Sequence, residues 1–199
     1  MAKETRERMI DAAVDALRRR GLAGMSFTDV LAASGAARGA IYHHFPGGKN
    51  QLVAEAAARN GQDVRARLTA LPGAGAAGPR EVAEAFIAFA RPVAEEAAGG
   101  SGCAVAAVTL PADGDGRELC QVASGVFGSW TERLTEALTA AGMAPDAAAD
   151  SAHLLVSLLE GAQVLCRAAA TAAPFDHASR AALSLFPEAP EPPGRPGRV

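Results

Sequence analysis

Residues 26–52 read SFTDVLAASGAARGAIYHHFPGGKNQL, and the fold of this chain turns on how that run is parsed. Phe27, Val30 and Leu31 make one buried helical stripe, and Ser26 with Asp29 three residues on forms a capping-box variant at its start. Ser34-Gly35-Ala36 fits a turn, with Gly35 at the position that needs a positive φ. Ala37, Ile41 and Phe45 then recur at four-residue spacing, the period of one face of a second helix, and the opposite face carries Arg38, Tyr42 and His43. Pro46-Gly47-Gly48 breaks the chain before a third helix. A short helix with an apolar underside and a cationic, hydroxyl and imidazole outer face is what a helix-turn-helix lays in a DNA major groove.

Working outward, Lys3 to about Arg20 forms a first helix with Ile10, Ala13, Val14 and Leu17 buried, and Gly21 ends it. Arg18, Arg19 and Arg20 at its C-terminus suit the helix dipole. A long helix from Lys49 to about Leu71 carries Val53, Ala57, Val64, Leu68 and Leu71 on one side and joins the two parts of the chain. After the connector PGAGAAGP at 72–79, Val82, Phe86, Phe89 and Val93 mark another helix, which Pro92 is expected to kink or end near Ala88. Cys103 to Leu110 reads as a short helix, since nothing nearby offers strands for it to pair with. Residues 111–116 read as a turn; helices are expected at about 117–141, 146–172 and 175–186. Residues 187–199 contain five prolines and read as a disordered tail. The expected fold is therefore all-α. Residues 1–64 form a helix-turn-helix domain and 65–186 a larger helical domain for ligand binding and dimerisation.

The run 26–52 resembles the helix-turn-helix of TetR-type transcriptional repressors. Gly35, Gly39, Tyr42, His44, Phe45, Lys49 and Leu52 stand at that family's spacing. The phrase from Tyr42 to Lys49, YHHFPGGK, is most similar to the LmrA/YxaF-like subgroup, which has an extra residue before the lysine. The likeness covers the chain to about residue 65, with a weaker echo at residues 102–108. One departure is Ala37, where the family often has Ser or Thr; a helix-capping hydroxyl able to touch a phosphate is lost there.

The resemblance implies double-stranded operator DNA as partner. Tyr42 and Lys49 would hold backbone phosphates and Thr28 would add another. Arg38, Ala40 and His43 would face bases, Arg38 being the best placed for a bidentate guanine contact. Gly39 would let the backbone approach DNA, or alternatively allow tight packing on the first helix. The family reading is a homodimeric repressor, released from DNA by a small-molecule inducer. The competing reading is a helical enzyme or ligand carrier whose helix-turn-helix look is accidental.

Charge supports the first reading by its distribution. Net charge is −3, yet residues 1–60 hold nine Lys/Arg against six Asp/Glu, and residues 61–199 hold ten against sixteen. A basic first segment on an acidic remainder fits a DNA-reading head on a body that does not touch DNA. The N-terminus is charged and lacks the apolar stretch of a signal peptide, and no apolar run is long enough to span a membrane, so a cytoplasmic protein is expected. Cys103, Cys120 and Cys166 are odd in number and read as small buried hydrophobes.

Several patterns mislead. Residues 73–78, GAGAAG, match a dinucleotide fingerprint literally but come after Leu71-Pro72 rather than a strand. Asp113 and Asp115 hint at a calcium loop that no glutamate closes. His43 and His44 are adjacent, and a helix points them about 100° apart, poor for one metal. No catalytic residues, metal site or cofactor is expected. A ligand pocket is expected inside the second domain, lined by Phe86, Phe89, Cys103, Val126, Phe127, Trp130 and Leu158, with few charges near and hence an apolar or aromatic ligand. The run Leu154, Leu155, Val156, Leu158, Leu159, Ala162, Val164 and Leu165 surrounds its helix, so one side faces its own domain and the other needs a partner copy.

Overall fold

Helices account for all regular structure in the described residues, 2–109 and 116–186, of the computed structural model; no strand occurs among them. In chain order they are α1 (Ala2–Gly24), α2 (Phe27–Ser34), α3 (Ala40–His44), α4 (Gly48–Thr69), α5 (Pro79–Ala98), a 3-10 turn (Ala106–Val108), α6 (Gly116–Ala140), α7 (Pro145–Ala169) and α8 (Ala173–Leu183). None is long and apolar enough to cross a membrane. The turn expected at 111–115 and the tail expected at 187–199 lie outside the described residues.

Local chemistry sets most boundaries where the sequence puts them. Gly21 adopts φ +68° and ψ −178°, which interrupts the helical path of α1; a last turn resumes to Gly24. The Ser26 hydroxyl accepts the Asp29 N–H at 3.2 Å and starts α2. Gly35 at φ +67° ends it, its N–H donating to the Leu31 carbonyl, the left-handed cap that a residue with Cβ adopts only at a cost.

The short helix expected from Cys103 is only the 3-10 turn Ala106–Val108, and the last helix runs over Ala173–Leu183 with Pro174 in its first turn, where proline's missing N–H costs nothing, rather than over 175–186. Two further boundaries differ for clear local reasons. The second helix of the pair starts at Ala40, not Ala37: Ala37 is exposed, and residues 37–40 form a turn closed by Ala40 N–H to Ala37 O at 2.9 Å. Gly39 lowers helix propensity just there and offers no capping side chain, so the helical period of Ala37, Ile41 and Phe45 overstates the helix by about one turn. Pro92 does not end its helix. α5 runs through it to Ala98. The proline leaves the Ala88 carbonyl without its N–H partner, but Ala88 and Pro92 are both exposed, so water can serve that carbonyl.

α1 packs on α2 and α4, and α4 continues outward to pack on α6. The remaining helices close around α7, which touches α5, α6 and α8. α4 meets α6 at Gly61, where an added Cβ would lie 2.4 Å from Val126 Cγ1. Beside it the buried Trp130 indole donates its N–H to the Gly61 carbonyl at 2.9 Å. The cysteines divide. Cys166 is buried as expected, Cys103 is partly buried, and Cys120 is exposed, because its position on α6 turns away from the core.

Candidate nucleic-acid interface and interhelical cavities

On the N-terminal helices, Ile41 and Phe45 are buried in the core and seat α3 there, and the Arg6 guanidinium of α1 lies 5.0 Å from the Phe45 ring centroid. Arg8 Nε donates to the Ser34 carbonyl at 3.0 Å, tying α1 to the end of α2. What remains outward is a polar face. Thr28, Arg38, Gly39, Tyr42 and His43 are exposed, and Ala40 is partly so. Tyr42 is 68% exposed and stands edge-on to Phe27, with ring centroids 6.2 Å apart. This contact holds the phenol upright without using its hydroxyl. A shallow groove between α2 and α3 is lined by Phe27, Thr28, Leu31, Arg38 and Tyr42. Arg38 has no ion-pair partner among the described residues. Asp29, the one carboxylate on α2, is paired with Arg20 at 2.5 Å. The face therefore presents an uncommitted cation, and the one acid of α2 is neutralised by Arg20.

Gly39 has open space where a Cβ would be, so it is not packed against α1; of the two readings offered for it, the structure leaves free access to the backbone. Lys49 lies in the first turn of α4, and its ammonium donates to the Leu22 carbonyl at 3.2 Å. That bond takes one of three ammonium protons and fixes the side chain between the end of α1 and the start of α4.

The second candidate site lies among α4, α5, α6 and α7. Phe89, Cys103 and Trp130 line a cavity of about 170 Å³ together with Arg18, Arg67, Glu96, Glu160 and Gln163. Phe127 lines a neighbouring, more open cavity of about 460 Å³ with Thr131, His153, Val156 and Glu160. Phe86, Val126 and Leu158 line neither. Phe86 is buried in the core, Val126 is spent on Gly61, and Leu158 packs against the core. The expectation of few charges is also corrected, since five charged or titratable groups border the smaller cavity: Arg18, Arg67, Glu96, Cys103 and Glu160.

Glu160 belongs to both cavities. Burial pushes its carboxyl up to about 7, while hydrogen bonds from the Cys103 thiol and the Gln163 amide, the latter at 3.3 Å, act in the opposite direction. Burial likewise pushes the Cys103 thiol well up, so it is a poor thiolate. The sequence did carry a signal for Glu160: it is the single charge in the apolar run 154–165. No group of His, Cys, Asp and Glu able to hold a metal ion occurs among the described residues.

Arg18 joins the two sites. Its Nε donates to the Gly102 carbonyl at 3.3 Å and its guanidinium pairs with Glu96, at the end of α5. Arg167 of α7 donates back to the Arg19 carbonyl at 3.1 Å. The end of α1 is thus clamped to the cavity's wall, a second bridge besides the continuous helix α4.

Residues 9–56 match the family model described as bacterial regulatory proteins, tetR family, and residues 79–181 match that described as transcriptional regulator LmrA/YxaF-like, C-terminal domain. An uncharacterized HTH-type transcriptional regulator of Mycobacterium tuberculosis is 35% identical over 186 residues, covering 91% of this chain and 93% of that one. The HTH-type transcriptional regulator LmrA of Bacillus subtilis is 27% identical over 179 residues, covering 88% of this chain and 93% of its own. Among solved structures, a TetR transcriptional regulator from Chloroflexus aurantiacus is similar with a TM-score of 0.72 at 29% identity, covering 92% of this chain and 94% of that one.

Proposed function

The chain belongs to the TetR family of bacterial transcriptional regulators, with that family's DNA-binding N-terminal domain and an LmrA/YxaF-like C-terminal domain, and from this premise we propose that it is a homodimeric repressor which a small molecule releases from its operator. Residues 1–64 read DNA, and residues 65–186 dimerise and take the effector; α4 is continuous across that boundary. The protein acts in the cytoplasm and has no catalytic role in this reading.

The observation that carries the proposal is the outward set of Arg38, in the turn before α3, and Tyr42 and His43 on α3, above Ile41 and Phe45, which are fixed in the core. Rigid support lets side chains reach base edges in a set register. Arg38 reads a guanine, Tyr42, Lys49 and Thr28 hold phosphates, and Ala40 and Gly39 allow close approach. Dimerisation is supported by apolar surface on α7 and just beyond the end of α8. Val164 is 69%, Leu165 57% and Leu185 66% exposed in the single chain, and a partner copy would cover them. A two-fold dimer presents two reading helices about 34–36 Å apart or a multiple of it.

The test is a gel shift on DNA upstream of the protein's own gene, then titrations against single-base operator variants. Arg38→Ala should cost about 1–3 kcal/mol and relax preference at one position. Tyr42→Phe should weaken every variant by a similar factor, as loss of a phosphate contact does. Unchanged base preference in Arg38→Ala removes its reading role. Light scattering that finds a 20.1 kDa monomer at micromolar concentration removes the dimer.

A further inference from the structure

Glu160 is a partly buried carboxyl with no cationic partner, set where two cavities meet. No Lys, Arg or His lies within ion-pair distance of it among the described residues. The charged and titratable groups around it come from every neighbouring element. Arg18 of α1 is committed to Glu96 and the Gly102 carbonyl; Arg67 of α4 is exposed; Glu96 of α5 is paired; Cys103 and Gln163 donate to Glu160; His153 of α7 is exposed and binds the Ala149 carbonyl at 2.9 Å. α6 contributes Thr131, whose hydroxyl is already turned to the Phe127 and Gly128 carbonyls. A carboxyl removed from water either keeps its proton or pairs with a cation, and the protein supplies no cation here. The surrounding walls are aromatic. Phe127 and Trp130 stand edge to face, 5.2 Å apart, and Phe89 lies across the smaller cavity's lining.

We propose that the larger cavity takes an organic cation on an aromatic or apolar frame, its ammonium nitrogen on the Glu160 carboxylate and its frame against Phe127, with Trp130 packed edge to face behind that ring. The proposal rests on the reading of an effector site in this part of the chain and names its ligand class. It adds a positive charge to the apolar or aromatic ligand expected from sequence. Aromatic faces favour a cation over a neutral group of the same shape, and the larger cavity, about 460 Å³, suits a ligand of modest size. Pairing with a cation favours the ionised carboxyl, so binding near neutral pH expels a proton, and affinity rises as pH rises through the carboxyl's range.

The experiment titrates the full chain with benzyltrimethylammonium, with its uncharged isostere neopentylbenzene, and with phenylmethanesulfonate as the anion. Binding is read from the emission of Trp130, the only tryptophan. The cation should bind at least about tenfold more tightly than the isostere, and the anion should bind least. Cation affinity should rise about tenfold between about pH 6 and about pH 8. Glu160→Gln should bring the cation down to the isostere's affinity and flatten the pH profile, while Glu160→Asp keeps part of both; thermal melts establish that each variant is folded. Equal binding by the isostere or anion, no saturable binding of the cation, or a Glu160→Gln variant that binds like the parent overturns the proposal. Operator release is measured separately by DNA anisotropy. Glu160-dependent cation binding that leaves operator affinity unchanged overturns the effector reading and leaves the ligand class standing.

Discussion

Arg38 and Tyr42 stand in solvent above a buried Ile41 and Phe45, while Glu160 sits inward among aromatic rings with its polar neighbours turned toward it. The first site lies between residues 28 and 49; the second gathers side chains from Arg18 to Gln163. A surface site needs only a rigid floor, and local periodicity is enough to build one. A site between helices needs several of them to arrive together, and its character depends on what each leaves unpaired. The two regions therefore respond differently to substitution: the face through its support, the cavity through charge and helix separation.

The largest effect should come from removing the floor. Phe45 is fully buried, and Phe45→Ala should cost about 3–5 kcal/mol of stability in the N-terminal helices. Operator binding should vanish while Trp130 emission stays native. A single cooperative loss of both signals would show that face and cavity are one folding unit, and would remove the distinction between them.

Gly61→Ala should cost about 1–3 kcal/mol, because the new methyl meets Val126, a β-branched side chain with little rotamer freedom in a helix. α4 and α6 must then part, which stretches the Trp130 hydrogen bond to the Gly61 carbonyl. The expected outcome is the reverse of the Phe45 variant: altered Trp130 emission with operator binding largely kept. A variant as stable as the parent would mean the two helices slide past each other freely.

Charge burial gives the next effect. Glu160 titrates near 7 when folded, above its ordinary 4.5, so the folded state holds that proton more tightly than the unfolded chain. Its contribution is fully present below the ordinary carboxyl range and is lost as pH rises through about 7. Glu160→Gln should therefore stabilise the ligand-free protein at about pH 8 by up to about 3 kcal/mol and make little difference at about pH 4, read by denaturant melts. Equal gains at both pH values would mean that desolvation of the carboxylate is not the cause.

The same contrast explains how far each region is legible in the sequence. The caps at Ser26 and Gly35, the turn at Gly35 and the outward row Arg38, Tyr42, His43 are local relations, readable at short range in the chain. The start of α3 escapes periodicity, which records which residues can share a face, not where hydrogen bonding begins; Gly39 decides that. In the cavity, size and apolarity single out the aromatic residues without placing them. Phe86 and Val126 are as apolar as Phe89, and only the arrival of Gly61 and the core around Phe86 assigns them elsewhere. Glu160 is visible as a lone charge in an apolar run, but its meaning depends on the absence of a partner from α1, α4 and α5, which no local pattern encodes.

The smallest stability effect should carry information about how the regions communicate. Sequence continuity points to α4 alone as the link, yet Arg18 also fastens α1 to Glu96 and Gly102, and Arg18 itself lines the smaller cavity. The pair is partly solvent-exposed, with side chains 27% and 56% accessible, so Arg18→Ala should cost no more than about 1 kcal/mol of stability. Coupling is a different quantity. A ligand that fills the cavity changes operator affinity only if it favours one relation of α1 and α4 to the body over another, and a clamp on α1 makes that relation two-pointed. With the clamp gone, occupancy is reported through α4 alone. Operator affinity without ligand should stay near the parent's, while the ratio of affinities with and without saturating benzyltrimethylammonium should shrink toward one. Operator titrations by anisotropy at both ligand conditions measure this ratio directly. A ratio equal to the parent's would show that α4 carries the whole signal and that the Arg18 clamp only holds the end of α1 in place.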